Sequence, residues 1–472
     1  MPDMPARPLW TAAEVAAATN GVLHGDDRPI TGLTYNSREI VPGDLFLALK
    51  GARDGHEFAS AAFAAGAACA LVEHPVEGGP CVVVPDTLHG LEALGVAARD
   101  RAPHVKRGAV TGSVGKTSVT QAIKAGLDLA GAAHGSIKSY NNHIGVPLTL
   151  ARMPVETQRA VFEIGMNAPG EIAPLSRFVA PHAACITTVG PVHIEAFADG
   201  EAGVAREKAA IFQGLVSGGT AVANGDVTYA GVLADAARAV QARLVVFGTQ
   251  AGHDARLLDF RPDAEGAAVS AELFGRRIDY RLAQSGVHWG LNSLCVLLML
   301  DALDVPLETG LQALAGFQPL AGRGQTRTVT TPDGAFTLID ESYNANPLSM
   351  AAGFKSLGAR AVSGRRVVVL TDMLELGDQS RSLHEGLAGP IDAAGLDLIH
   401  LAGPQMRWLY DALPVSRRGL WRETAAELAA EAALLVAPGD VVMVKGSNGS
   451  KASLVAKALA ALQGRDTPPA TQ

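Results

Sequence analysis

The segment TGSVGKTS, residues 111–118, has the residue types and spacing of a phosphate-binding loop that opens a helix. The usual pattern is G-x-x-x-x-G-K-[ST], and this chain has valine where the first glycine would stand. Gly112 and Gly115 would let backbone N–H groups converge on phosphate oxygens at the helix N-terminus. Lys116 would then reach the β- and γ-phosphates, and the hydroxyl of Thr117 would hold Mg²⁺. An ordinary glycine turn before a helix would use the same residues, so other groups must decide between the two.

Three residues further along the chain could complete a nucleotide site. Glu163 closes the apolar run AVFEIG, where its carboxylate suits Mg²⁺ or lies at a solvated strand end. His193 follows the apolar run AACITTVG and is either a ligand or a structural histidine. Lys208 shares the helical stripe of Val204 and Ile211. Either its ammonium reaches water, or burial lowers its pKa and leaves a neutral, nucleophilic amine.

The elements that must position these residues fall into three α/β parts. Short strand-like runs and alanine-rich helices occupy residues 1–104, and the phosphate loop opens a longer α/β part at 105–321. Strands and helices alternate through 322–472, with one helix predicted over SRSLHEGLAGPIDAA. We therefore predict an α/β fold of three domains: an N-terminal domain, a central P-loop-type ATP-binding domain with a mainly parallel sheet, and a C-terminal Rossmann-like domain.

Composition excludes several classes of function. The 472 residues carry a formal net charge of -8 and no cluster of Lys and Arg, which argues against nucleic acid as a partner. The four cysteines lie far apart with no C-x-x-C pair, as expected in a reducing compartment. No apolar run approaches the ~20 residues that a membrane span needs. We expect a cytoplasmic protein without a membrane span.

The order of motifs resembles that of the Mur ligases, the ATP-dependent amide-forming enzymes of peptidoglycan assembly. The motifs are TGSVGKTS, NNHIGVPLTL, FEIGMNAPGEI, VHIEAF, GVAREKAAIF, HWGLNSL, GRGQ, DESYNANPLSM, TDMLELG and VKGSNGS. The loop T-G-x-x-G-K-T is similar to that of this family and of folylpolyglutamate synthases. Within the family, YNANPLSM and MLELGDQSRSLH resemble the member that adds D-alanyl-D-alanine to UDP-N-acetylmuramoyl-tripeptide. The resemblance implies these two partners, ATP and Mg²⁺ as cofactors, an acyl phosphate intermediate and a monomer.

The resemblance also implies a role for each matching residue. Those implied for ATP are Thr111, Gly112, Ser113, Val114, Gly115, Lys116, Thr117, Ser118, Asn292, Arg323, Asp340 and Glu341. Those implied for the acid substrate and the dipeptide are Ser37, Arg38, Asn141, Asn142, Asn344 and Asn346. The catalytic residues are Lys116, Glu163, His193 and Lys208, and the metal ligands are Thr117, Glu163, His193 and Lys208. Lys208 would be carbamylated by CO₂.

Two alternatives to this activity stay open at this point. One is a related ligase, either a Mur ligase that adds a single amino acid or an enzyme like folylpolyglutamate synthase. The segment YNSREIVPGDLFLALKGARDGHEF, which is similar to the UDP-binding segment of the Mur ligases, counts against the synthase. The other alternative is a nucleotide-binding switch without synthetic activity, which would have no use for YNANP.

Overall fold

The computed structural model describes residues 7–137, 139–263 and 265–464, which form three α/β units, each built on a sheet of its own. The first unit is a five-stranded sheet of order β2-β7-β6-β5-β4, parallel except for β2, beside a two-stranded ribbon of β1 and β3. Its strands are β1 (Trp10–Thr11), β2 (Val22–His24), β3 (Pro29–Ile30), β4 (Gly32–Thr34), β5 (Asp44–Leu47), β6 (Cys69–Val72) and β7 (Cys81–Val83). Its helices are α1 (Ala12–Thr19), α2 (Ala59–Ala64) and α3 (Thr87–Asp100).

The second unit is a nine-stranded sheet of order β16-β15-β14-β13-β12-β11-β8-β10-β9. Its strands are β8 (Lys106–Thr111), β9 (Ala133–Gly135), β10 (Arg159–Glu163), β11 (Ala183–Ile186), β12 (Thr220–Asn224), β13 (Arg243–Gly248), β14 (Ala255–Asp263), β15 (Gly266–Leu273) and β16 (Arg276–Leu282). Its helices are α4 (Lys116–Leu129), α5 (Gly145–Ala151), α6 (Ile172–Val179), α7 (Glu201–Ala209), α8 (Ala230–Ala239), α9 (Trp289–Ala302) and α10 (Leu307–Gly316). Strands β8 to β14 run parallel, while β15 and β16 extend the sheet in antiparallel fashion.

The third unit is a six-stranded sheet of order β17-β18-β22-β19-β20-β21, parallel except for β17. Its strands are β17 (Gln325–Thr331), β18 (Gly334–Glu341), β19 (Arg366–Thr371), β20 (Leu398–Ala402), β21 (Arg418–Arg422) and β22 (Val441–Lys445). Its helices are α11 (Pro347–Gly358), α12 (Ser380–Glu385), α13 (Ala388–Ala393), α14 (Met406–Ala412), α15 (Ala425–Ala430) and α16 (Ala452–Ala460). The predicted three-domain α/β fold is confirmed.

One predicted element is wrong in detail. The segment SRSLHEGLAGPIDAA, which was expected to form a single helix, forms two helices, α12 and α13, separated near Gly386. Pro390 lies in the first turn of α13, where its missing N–H costs nothing. A continuous helix would need that N–H to bond to the carbonyl of residue 386, so the chain ends one helix and starts another.

The third unit contacts the second at several points. The Tyr343 hydroxyl donates to Ser139 Oγ at 2.8 Å, and Arg360 Nη2 donates to Ser285 Oγ at 2.7 Å. The carboxyl ends of β8, β10, β11 and β12 face this junction, which is where ligands bind in open α/β sheets. Within the described ranges no helix is long and apolar enough to cross a bilayer.

Candidate active site

The phosphate loop lies between the buried strand β8, which ends at Thr111, and helix α4, which begins at Lys116. Gly112 has φ +150° and Gly115 has φ +89°, backbone conformations that favour glycine. A side chain at Gly112 would also collide with the hydroxyl of Thr187. The local sequence therefore folds as predicted, with two glycines where the backbone turns and approaches a neighbouring strand.

The loop is fixed to the segment that follows β11. Ser113 N donates to Thr188 O at 2.9 Å, and Ser113 Oγ exchanges hydrogen bonds of 2.9 and 3.0 Å with the backbone of Gly190. Lys116 Nζ donates to Gly112 O at 2.8 Å, across the loop. These bonds preorganise the N-terminus of α4, whose partial positive charge favours an anion.

Glu163 lies at the end of β10, directly beside Val110 of β8. Its side chain is 1% exposed, so the alternative of a solvated strand end is wrong. Asn141 Nδ2 donates to Glu163 Oε1 at 2.6 Å, and Glu163 Oε2 is buried without a hydrogen-bond partner. A buried carboxylate oxygen without a partner is rare, because it loses its hydration and gains nothing in return. A bound cation would supply the missing partner.

Lys208 on α7 is 1% exposed, so it does lie on the buried face of its helix. Burial lowers the pKa of its ammonium well below the usual value, and the positive charge of Lys116 lowers it further. Burial also lowers the pKa of His193; the Glu375 carboxylate opposes this shift, and the charges of Lys116 and Lys208 reinforce it. These three residues therefore lie within electrostatic reach of one another, and the structure favours the neutral forms of His193 and Lys208.

The third unit brings a second set of polar groups to the same place. Arg323, which precedes β17, lies with its guanidinium 3.9 Å from the centre of the Tyr343 ring. Glu341 ends β18 and is paired in register with Lys445, the last residue of β22. Lys445 is 3% exposed, and its Nζ lies 3.3 Å from Glu341 Oε2 and 3.1 Å from Asn344 O. The carboxyl ends of two sheets thus face each other across one space.

That space is a cavity of about 470 Å³. The predicted residues that line it are Ser113, Val114, Gly115, Lys116, Thr117, Ser118, Asn141, Asn142, Glu163, His193, Asn292, Arg323, Glu341, Asn344 and Asn346. A volume of this size is typical of small-molecule and cofactor sites.

Six predicted site residues do not line this cavity. Thr111 and Gly112 are buried at the start of the loop, and Lys208 is buried on α7. Asp340 accepts hydrogen bonds from the backbone and the hydroxyl of Ser342. The remaining two, Ser37 and Arg38, lie in the loop after β4 in the first unit. Next to that loop, the rings of Tyr35 and Tyr140 are 6.3 Å apart, so it adjoins the segment leading to Asn141.

Other lining residues were not predicted from the sequence, among them Ser139, Thr187, Thr188, His288 and Lys445. Lys445 had a detectable signal, because it closes the apolar strand VVMVK just before the glycine of VKGS. His288 also had a signal, because it opens the motif HWGLNSL, whereas Ser139, Thr187 and Thr188 stand in no pattern that distinguishes them from ordinary loop residues.

The oxygen atoms at the cavity fit a hard divalent cation. Thr117 Oγ1, which lies 3.3 Å from Ser139 Oγ, and the free oxygen of Glu163 are the kinds of ligand that Mg²⁺ prefers. No group of three or more His, Cys, Asp and Glu suited to a metal occurs among residues 7–137, 139–263 and 265–464. The remaining ligands would have to come from phosphate oxygens, water or a modified side chain.

Comparison with known proteins gives matches along most of the chain. Three family models match: "Mur ligase family, catalytic domain" over residues 29–106, "Mur ligase middle domain" over 110–300, and "Mur ligase, glutamate ligase domain" over 322–448.

Similar proteins include the UDP-N-acetylmuramoyl-tripeptide--D-alanyl-D-alanine ligases of Escherichia coli and Rickettsia prowazekii. The first is 31% identical over 95% of this chain and 98% of its own length, and the second is 30% identical over 94% and 98%. A crystal structure of MurF from Acinetobacter baumannii superposes with a TM-score of 0.85 at 29% identity, covering 97% of this chain and 99% of the other.

Proposed function

The chain belongs to the Mur ligase family, and from this we propose that it joins D-alanyl-D-alanine to UDP-N-acetylmuramoyl-tripeptide at the expense of ATP, in the synthesis of peptidoglycan precursors. The proposal rests on relatives of that name matched along nearly their whole length. We place the reaction in the cytoplasm and expect the enzyme to act as a monomer.

The observation that carries the proposal is the cavity between the second and third units. One wall holds a phosphate loop and a buried carboxylate with a free oxygen, and the other holds Arg323, Asn344 and Lys445. A ligase that activates a carboxylate with ATP needs a phosphate site and an acceptor site within one enclosed space, because acyl phosphates react with water. The cavity supports this arrangement, because polar groups of both units line one space.

The loop and Glu163 would prepare the γ-phosphate for transfer to the terminal carboxylate of the tripeptide. Lys116 can exchange its bond with Gly112 O for the β- and γ-phosphate oxygens, where its charge stabilises the transition state. Thr117 and Glu163 would hold one Mg²⁺, which supplies positive charge at the phosphate oxygens when bound. The tripeptide carboxylate attacks the γ-phosphorus, ADP leaves, and an acyl phosphate results.

We propose further that Lys208 is carbamylated and, with His193, holds a second Mg²⁺. Its buried position and lowered pKa support this, since only the neutral amine reacts with CO₂. The ammonium first loses one proton; the neutral amine nitrogen then forms a bond to the carbon of CO₂, one C=O π bond opens to the carboxylate, and the nitrogen releases a second proton. The side-chain charge therefore changes from +1 in the ammonium to −1 in the carbamate. That change replaces a cation that would repel Mg²⁺ with an oxygen ligand that suits it.

The second half-reaction joins the two peptides. The free amine of D-alanyl-D-alanine attacks the acyl carbon and a tetrahedral intermediate forms. Its nitrogen gives one proton to a general base, and its collapse expels phosphate and leaves the amide. Buried polar groups in the acceptor site would favour the dipeptide over a single amino acid, because a shorter ligand leaves some of them without partners. Asn346 and Lys445, both buried and both lining the cavity, are candidates for these contacts.

A phosphate-release assay tests this activity. The enzyme is supplied with ATP, Mg²⁺, UDP-N-acetylmuramoyl-tripeptide and one amine at a time: D-alanyl-D-alanine, diaminopimelate or glutamate. We expect phosphate release to depend on the dipeptide and to be slow with either amino acid. Comparable rates with a single amino acid would indicate a different Mur ligase, and release that ignores every amine would indicate a nucleotide switch.

A further inference from the structure

A hydrogen bond between a histidine and a carboxylate joins the second and third units beside the cavity. His193, which follows β11, and Glu375, which follows β19, approach to 2.8 Å between Nδ1 and Oε2. Both residues have left-handed backbone, with φ +53° for His193 and +62° for Glu375. Residues other than glycine rarely adopt this conformation, and such backbone strain tends to persist at functional sites.

The segment that carries Glu375, residues 372–377, is held on both sides. Met373 N donates to His384 Nε2 at 3.1 Å, and Leu374 N donates to Ser447 Oγ at 3.0 Å. On the far side, Gly377 has φ +52°, and a Cβ there would lie 2.9 Å from Cβ of Glu195. The third unit therefore fixes this segment against the turn that contains His193.

The hydrogen bond determines which nitrogen of His193 is free. A neutral imidazole that donates from Nδ1 to a carboxylate carries its lone pair on Nε2. Metal-binding histidines usually have such a carboxylate partner, which sets the tautomer and the ring orientation. With Nδ1 bonded to Glu375, the free nitrogen of His193, a residue that lines the cavity, is Nε2.

We propose that Glu375 is a positioning residue that holds His193 in the Nδ1–H tautomer and orients Nε2 for the second metal ion. This rests on the proposed function, in which His193 is a metal ligand. Because Glu375 belongs to the third unit, the metal site is complete only when that unit is seated on the second. Phosphoryl transfer would then begin only in the arrangement that shields the acyl phosphate from water.

The test compares wild type with Glu375→Ala and Glu375→Gln. Mn²⁺ is titrated, in the presence of a non-hydrolysable ATP analogue, and free Mn²⁺ is read by electron paramagnetic resonance. Loss of such a carboxylate partner typically weakens metal affinity about 10–100-fold, which is the shift expected for Glu375→Ala. Glu375→Gln keeps an acceptor oxygen and should shift less. In turnover assays, the Mg²⁺ concentration for half-maximal rate should rise in the same order, with a smaller change in kcat at saturating Mg²⁺.

Two controls separate positioning from a general effect of the loop or the interface. Asp378→Asn removes an exposed carboxylate three residues further on, and Ser285→Ala removes the hydrogen bond from Arg360 between the same two units. Both should bind Mn²⁺ as wild type does. Unchanged affinity in Glu375→Ala, or an equal loss in Ser285→Ala, would overturn the inference. Dipeptide-dependent phosphate release by wild type tests the proposed function separately, so either idea can fail alone.

Discussion

Replacing Glu163 with glutamine should remove catalysis while keeping the fold. The substitution preserves the shape of a side chain that is 1% exposed, and it places an amide where Oε2 has no partner. An amide nitrogen cannot bind Mg²⁺, so the charge that offsets the transferring phosphoryl group is lost. Removing one such electrostatic contact commonly costs about 100–1000-fold in turnover, or about 2.7–4 kcal/mol.

The effect on stability should be far smaller. The 2.6 Å hydrogen bond from Asn141 Nδ2 to Glu163 Oε1 is retained, but its acceptor becomes neutral. Charged hydrogen bonds contribute about 1.5–3 kcal/mol and neutral ones about 0.5–1.5 kcal/mol, so about 1 kcal/mol is lost. Removing an uncompensated buried charge offsets part of this loss. For a unit of this size, 1 kcal/mol corresponds to about 2–4 °C in melting temperature.

Phosphate release and thermal melts, with and without Mg²⁺ and ATP, measure both quantities. Ligand at 100 times its Kd stabilises a protein by about 2.7 kcal/mol, so wild type should melt higher with Mg²⁺ and ATP than with ATP alone. Glu163→Gln should lose most of that difference. Glu156→Gln, an exposed glutamate in the turn before β10, makes the same charge change and should match wild type. Activity of Glu163→Gln within tenfold of wild type, or a ligand-free melt lowered by much more than 4 °C, would refute the reasoning.

Three further predictions concern the loop, the buried lysine and acid stability. Lys116→Ala should lower turnover at least about 100-fold, because the half-buried ammonium stabilises phosphoryl charge; near-normal turnover would make the loop assignment wrong. Lys208→Ala should be inactive, and formate or acetate should restore part of its activity. Lys208→Arg should stay inactive, because a guanidinium is not carbamylated. An active arginine variant in the phosphate-release assay would exclude the carbamate. Burial lowers the pKa of His134, His182 and His400 to about 4. Because the unfolded chain takes up these protons near pH 6.5 and the folded chain only near 4, the free energy of unfolding should fall as pH drops through that window. A melting temperature at pH 5 equal to that at pH 7 would contradict this.

The sequence by itself determined the local elements of the site. A strand, two glycines and a helix start predict the loop at 111–118, because only glycine tolerates the backbone at Gly112 and Gly115. Helical periodicity placed Lys208 on a buried face, and the structure confirms its burial. These features depend on residues close together in the chain, so local patterns are enough to reveal them.

Tertiary structure decided what local sequence patterns left open, namely which distant residues contact one another. Whether Glu163 faced water or the protein depended on Asn141, Ser136 and the neighbouring strand β8, none of which can be inferred from the run AVFEIG. The approach of Lys445 to Glu341 arises because β22 pairs with β18, about a hundred residues apart. His193 and Glu375 meet only because the third unit is seated on the second. Such contacts follow from how sheets and units pack, and the packing energy is spread over many distant side chains, so no short motif records it.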